Sequence, residues 1–289
     1  MDWCIVFNLL VIIEKVFMWV FMDKSVSKHR KKLNVRQLEV LELLYKFRFG
    51  SNDLFAQYFG KKDRSFVYKR LAVLLEQGLV GKRFEPSYRL QGKPAAYYLT
   101  PDGARALQAH KPDRPINTKA IYKDKTLSEE FVDSCLRVFG IYCRLRADYG
   151  DNLKFITRVQ LSRYDYFSEF TPSAYFRLDL GGKEQDFFFE YWQSARPFFT
   201  FLRRLKQYSD YFDSGEWEDG TSSDFPPVLL VCDTPGLQRR LLKKSGGVLE
   251  DVGDGLRFYI TPEDEIKRGK NALWVSVDDH DESFTLSEM

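Results

Sequence analysis

Residues 61–83, KKDRSFVYKRLAVLLEQGLVGKR, place the tightest limit on what this chain can fold into. Val67, Leu71 and Leu74, with Leu75 beside them, recur at helical spacing and form an apolar stripe. Arg64, Ser65, Tyr68 and Lys69 fall on the opposite face. Gly78 is a helix stop. Beyond it LVGKRF (79–84) and AAYYLT (95–100) read as antiparallel strands joined by the turn-rich EPSYRLQGKP. A helix that runs straight into a hairpin must bury its stripe against whatever lies upstream.

Upstream the pattern is helical. Leu38, Leu41, Leu44, Tyr45 and Phe47 predict a helix over 35–48. Ser51 or Asn52 can cap a short second helix that ends at Gly60, and Asp63 or Ser65 opens the third. After the hairpin, TPDGARAL predicts a further helix with Thr100 as N-cap and Pro101 in its first turn. Three helices followed by a two-stranded wing is the winged helix-turn-helix order. There the third helix enters the major groove and the wing reaches a neighbouring groove or the phosphates. The residue types suit that use. Arg64 and Lys69 can meet phosphates or guanine edges, Ser65 and Tyr68 can hydrogen-bond, and Lys82, Arg83, Arg89 and Lys93 line the wing.

A charged helix face can equally be a solvated one, or a winged helix can dock a protein. Charge distribution favours DNA. Residues 23–119 hold 21 Lys+Arg against 9 Asp+Glu, a net of +12. Residues 120–289 hold 22 against 30, a net of −8, and the first 22 residues contribute −1. A basic front and an acidic back imply surfaces with different partners, double-stranded DNA for the front. If about six cations met phosphates, affinity would fall about a thousandfold between low and moderate salt. Selectivity from two or three side chains would be modest without a homodimer to double the contacts.

With 289 residues the chain is long enough for two cores. Its four cysteines (Cys4, Cys135, Cys143, Cys232) form no CxxC pair, which argues against a zinc site or a disulfide framework and suits a reducing cytoplasm. Its three histidines stand beside no nucleophile, so Ser–His and Cys–His catalysis are not expected. The leader MDWCIVFNLLVIIEKVFMWVFM is apolar but broken by Glu14-Lys15. It lacks a basic n-region and a cleavage site. An over-extended start, with initiation at Met18 or Met22, explains it better than a membrane anchor, so no membrane partner is expected. The expected organisation is leader and basic tail 1–32, winged helix 33–110, linker 111–126, α/β domain 127–277 and a disordered acidic tail 278–289.

The back half alternates: a long helix over 127–149, strands LKFITRVQL, AYFRLDL and DFFFEYW, the helix PFFTFLRRLKQYSDYF, the strand PVLLVCD, the helix LQRRLLKKSG and the strand LRFYIT. That order implies an α/β layer with a mixed sheet, and an α+β or α/β class for the whole chain. Eleven aromatics between Phe187 and Phe212 exceed what a small sheet can bury, so a surplus facing a protein partner is expected.

The segments QLEVLELLYKFRFGSNDLFAQYFG, SFVYKRLAVLLEQGLV and PAAYYLTPDGARAL, followed by this back half, resemble the replication-relaxation family of plasmids and other mobile elements. The resemblance spans about 33–260. It implies a role in plasmid replication or DNA relaxation, with a replication or relaxase protein as a further partner. It also implies a C-terminal domain similar to the restriction-endonuclease-like PD-(D/E)xK fold. That fold needs a carboxylate on its second core strand, then an acid and a lysine on the third, with the two acids holding Mg²⁺. In this chain Pro172 is in place, but Ser173 stands where the aspartate belongs. Glu190 supplies the acid, and Trp192 occupies the lysine position. Asp179, Glu129 or Glu130 could replace the missing acid, and Arg196 or Lys206 the cation. If the site is active, Glu190, Asp179 and Lys206 carry it with Mg²⁺. The favoured expectation is instead a nuclease-like shell without cofactor, in which Glu190 pairs with Arg203, Arg204 or Lys206. Three functions follow: a non-catalytic DNA-binding protein, favoured here, a divergent metal-dependent endonuclease, or an interaction module tethered at the membrane.

Overall fold

The third helix buries its stripe against the second helix and the first hairpin strand, while the two halves of the chain pack onto one long helix. The computed structural model describes residues 33–84, 88, 90, 92–112, 116, 118, 121–167, 170–249 and 255–289. The leader expectations fall outside them. Residues 36–289 form a single compact unit.

The front runs α1 (Val35–Phe47), β1 (Phe49–Gly50), α2 (Asn52–Tyr58), α3 (Ser65–Glu76), β2 (Val80–Arg83), β3 (Ala96–Leu99) and α4 (Pro101–His110). Ser51 caps α2 by accepting from the Leu54 amide at 3.3 Å, and Asp63 accepts from the Ser65 amide at 2.8 Å at the start of α3. Val67, Leu71 and Leu74 are fully buried, as the spacing requires. Gly78 ends α3 with φ +70°, open to glycine and strained for other residues. The hairpin gains a third member. β1 pairs with β3, giving the order β1-β3-β2. A two-residue strand is too short to show a period.

The segment TPDG locks this module. Thr100 accepts from the Gly103 amide at 3.0 Å and donates to the Gly78 carbonyl at 2.7 Å. A Cβ on Gly103 would stand 2.0 Å from the Leu79 carbonyl oxygen, so only glycine lets α4 approach the turn after α3.

The expected linker is partly structured. Residues Ile121–Thr126 form a 3₁₀ turn in which Ile121 and Asp124 are buried, and Arg48 donates to Asp124. Arg48 itself sits at φ +68°. α5 (Glu129–Tyr149) follows, capped by Ser128. Its ring Phe139 stacks on Phe47 at 4.5 Å and meets Phe55 at 5.6 Å. Phe155 touches Phe47 (6.2 Å) on one side and Phe189 (5.9 Å) on the other. The two halves thus share one aromatic seam rather than hanging on a spacer.

The back comprises β4 (Leu153–Thr157), α6 (Arg158–Leu161), β5 (Ala174–Asp179), β6 (Glu184–Trp192), α7 (Phe198–Ser214), α8 (Glu216–Thr221), β7 (Val228–Cys232), α9 (Pro235–Leu249), β8 (Phe258–Pro262), α10 (Glu263–Ile266), β9 (Trp274–Ser276) and β10 (Ser283–Phe284). The seven strands lie in the order β10-β9-β8-β7-β6-β5-β4, parallel across β6-β7-β8 and antiparallel elsewhere. The class is mixed α+β. LKFITRVQL divides: the strand stops at Thr157, whose capping box with Gln160 starts α6. The acidic tail, expected to be disordered, supplies the edge strand β10 and buries Leu286.

Both faces of β6 are covered. Phe188 and Trp192 pack under α7, and Phe189 faces the α5 side. Eight of the eleven aromatics are buried, and Phe198 and Phe212 are half-buried against them. Phe199 alone of the eleven is largely exposed. The expected outward surplus is therefore absent, because a sheet covered on two sides holds twice the rings of one covered on one.

Candidate functional site

Two groups of polar side chains stand out, one open and one closed. The open group is the solvent face of α3. Arg64, Ser65, Tyr68 and Lys69 are all exposed, opposite the buried Val67, Leu71 and Leu74. Lys61 and Lys62 extend the same basic surface ahead of the helix. Arg64 forms an ion pair with Asp53 of α2 (Nε–Oδ1 2.9 Å), yet its side chain keeps 68% of its exposure. Ser65 Oγ bonds Asp63, which holds that carboxyl below its usual range. Arg70 is turned back, stacked on Phe66 and donating to the Phe66 carbonyl at 2.9 Å.

The hairpin cations divide. Lys82 is exposed, its Nζ 5.2 Å from the Phe84 ring. Arg83 instead donates to the Leu127 carbonyl at 2.6 Å. Lys93 bridges Glu129 (3.2 Å) and Asp133 (3.6 Å) on α5. These two were expected to line an open wing. They are directed at the neighbouring helix, because α5 begins alongside the hairpin with acids in its first turns. Arg89 lies outside the described residues.

The closed group centres on Glu190, which is 2% exposed in the middle of the sheet. The register Ala174↔Phe189 sets Ser173 beside it. Ser173 donates to Glu190 through both its amide (3.2 Å) and its hydroxyl (2.5 Å). From α7, Arg204 donates through Nε at 3.0 Å and through a second guanidinium nitrogen. Tyr208, one turn further along, donates at 2.9 Å. Arg204 is held in turn by the Thr171 carbonyl at 2.7 Å.

Burial alone would push the Glu190 carboxyl up. Arg204, Arg158 and the Ser173 hydroxyl outweigh it and hold the group below its usual range. Burial, then Glu190's charge, raises the Tyr208 phenol well above its ordinary value, so it stays a donor. Every oxygen of the carboxylate is already bonded.

This arrangement does not fit Mg²⁺, which needs several free, converging oxygens. The residues considered for catalysis do not assemble. Asp179 lies at the other end of β5 from Ser173, about 20 Å along the strand, and accepts from the Gly182 amide at 2.7 Å in the β5–β6 turn. Lys206 is exposed and pairs with Asp210 at 3.2 Å. Glu129 is engaged by Lys93. Among the described residues no group of three or more His, Cys, Asp or Glu is placed to hold a metal ion.

Of the three cations expected beside Glu190, Arg204 is the one that meets it. Arg203 lies over the Phe199 ring at 5.9 Å. Sequence reasoning missed Arg158 and Tyr208. The i, i+4 spacing of Arg204 and Tyr208 signals a shared helix face. Arg158 lay in a run read as strand and left no signal.

These features define a mixed α+β protein with an exposed basic helix and a buried, self-satisfied acidic centre. The chain belongs to the replication-relaxation family, whose model matches residues 41–224, from α1 to just past α8. Membership points to a role in the replication of plasmids or other mobile elements. A comparison with curated proteins found no match. Among the described residues no helix is long and apolar enough to cross a membrane.

Proposed function

We propose that this chain is a non-catalytic protein that binds double-stranded DNA through α3, acting in plasmid replication or relaxation or in transcriptional control of its own element. The observation that carries this reading is the solvent face of α3, which presents Arg64, Ser65, Tyr68 and Lys69 together. The order helix, short strand, two helices and hairpin supports reading the front as a winged helix with α3 as its recognition helix. Arg83 and Lys93 are engaged by the α5 side, so the groove contact rests on α3, on Lys61 and Lys62 before it, and on Lys82.

About five phosphate contacts of this kind give log Kd a salt slope of magnitude about 4 to 5. A second copy of the chain would double the contacts and sharpen selectivity. The nuclease-like reading of the sheet remains architectural, since the Glu190 centre is filled by its own donors. Fluorescence anisotropy with mixed-sequence duplexes tests the reading. Wild-type protein binds with steep salt dependence, and R64E/K69E loses about a hundredfold in affinity. Equal binding by the two proteins contradicts it.

A further inference from the structure

The Glu190 centre does not balance its own charge. Glu190 is matched by Arg204, and Asp124 by Arg48. Two further guanidiniums, Arg158 and Arg196, make no ion pair among the described residues. Arg158 hangs on carbonyls, donating to Thr171 at 2.9 Å and Pro172 at 3.3 Å, while its own amide donates to the Ser173 carbonyl at 3.0 Å. Arg196 lies over the Trp192 ring with Cζ at 5.0 Å and donates to the Ser134 hydroxyl at 3.1 Å.

Ser173 is in direct contact with Glu190. Trp192 is two residues along β6 on the face that Glu190 shares. Arg158 thus lies beside the Ser173–Glu190 pair and within electrostatic reach of Arg196. Their partners are neutral, and these bonds fix the direction of each fork while leaving other N–H groups unused. Arg158 is solvent-exposed and Arg196 partly so.

We infer that Arg158 and Arg196 form an anion site that takes a phosphodiester of a nucleic-acid strand, a second contact beyond α3. Fixed guanidinium forks recognise phosphate in pairs of hydrogen bonds. The chemistry is that of backbone and not of base, because Trp192 is only 5% exposed and offers no platform for stacking. The surrounding half of the chain is acidic, at net −8, which confines the contact to this spot. The inference deepens the DNA-binding reading, and its test separates the two.

The probe is the 5′-phosphorylated trinucleotide pTpTpT, too short to fill a groove, titrated calorimetrically into the full chain. Duplex binding is followed in parallel against salt. In R158A/R196A, trinucleotide affinity falls at least about tenfold and the duplex salt slope shrinks by about 1 to 2, while R64E/K69E keeps its trinucleotide affinity. If R158A/R196A does not fold, R196A alone serves, since Arg196 is partly exposed and, among the described residues, makes a single side-chain hydrogen bond, to the Ser134 hydroxyl. Unchanged trinucleotide binding in the arginine variant, or no binding by wild type, overturns the site. Inorganic phosphate binding as tightly as pTpTpT overturns the strand assignment in favour of a free-phosphate site. Loss of trinucleotide binding in R158A/R196A with full duplex binding in R64E/K69E keeps this site and removes the α3 reading.

Discussion

The solvent face of α3 and the Glu190 centre use the same side chains, arginine, serine and tyrosine, in opposite settings. On α3, Arg64, Ser65, Tyr68 and Lys69 face water, and the one ion pair they make among the described residues, Arg64–Asp53, leaves both partners largely exposed. Such a pair is worth little, so its arginine is available to another anion. At Glu190 the arginine, serine and tyrosine converge on one carboxylate inside the sheet, and the Arg204 side chain keeps 13% of its exposure. Residue type alone does not make a binding surface. What decides is whether the protein has already satisfied the group.

Asp124 sharpens the contrast from within the core. It too is buried against an arginine, Arg48. There burial wins, and the carboxyl is raised above its usual range despite Arg48. Glu190 differs by its extra donors, Ser173, Tyr208 and the field of Arg158. A buried carboxylate is comfortable in proportion to its hydrogen bonds, not simply to its ion pair.

The largest effect that would break the comparison is expected at Arg204. Replacing it with alanine strands Glu190 without its principal cation, and urea unfolding should show a loss of about 3–5 kcal/mol. The double variant E190Q/R204M, which removes both charges, should recover much of that loss. Next comes R64E/K69E, with about a hundredfold weaker duplex binding and an unfolding midpoint near that of wild type, since both side chains are exposed.

The third expectation concerns pH. The folded-state pKa of Glu190 is depressed, so its contribution is complete above the unfolded value, about 4.3. It is lost as pH falls through the folded value. Wild-type protein should therefore lose stability with acid more steeply than E190Q, measured by denaturant midpoints between pH 6 and 3. The smallest effect is at Lys93. K93A should change stability by under about 1 kcal/mol, because its partners Glu129 and Asp133 are half-exposed.

The front of the molecule was legible because its signals are local. The stripe on α3, the Gly78 stop, the Thr100–Pro101 cap and the two hairpin strands each lie within a few residues. What escaped was non-local. β1 exists only because β3 passes beside it, and β10 only because β9 offers an edge. The linker and tail looked free of structure, since neither carries a period. Yet Asp124 and Leu286 are buried through contacts made elsewhere in the chain. The aromatic surplus was misjudged because the covering of β6 on both faces depends on where α5 docks.

At the candidate site, the resemblance to the nuclease fold was enough to name Glu190 and the serine in the aspartate's place, and the charges of the following helix put Arg204 among three cations. It could not show that Arg83 and Lys93 turn toward α5, a matter of tertiary placement. Nor could it bring Arg158 to Ser173 across the β4–β5 connection.

The division of labour between these two regions is read by one paired measurement: duplex affinity and urea midpoint for E190Q and R64E/K69E, with Mg²⁺ present. The expected result is reciprocal. E190Q keeps duplex affinity and loses stability, while R64E/K69E keeps stability and loses affinity. Wild-type cleavage of the duplex that disappears in a fully stable E190Q would contradict it, as would duplex affinity indifferent to Arg64 and Lys69.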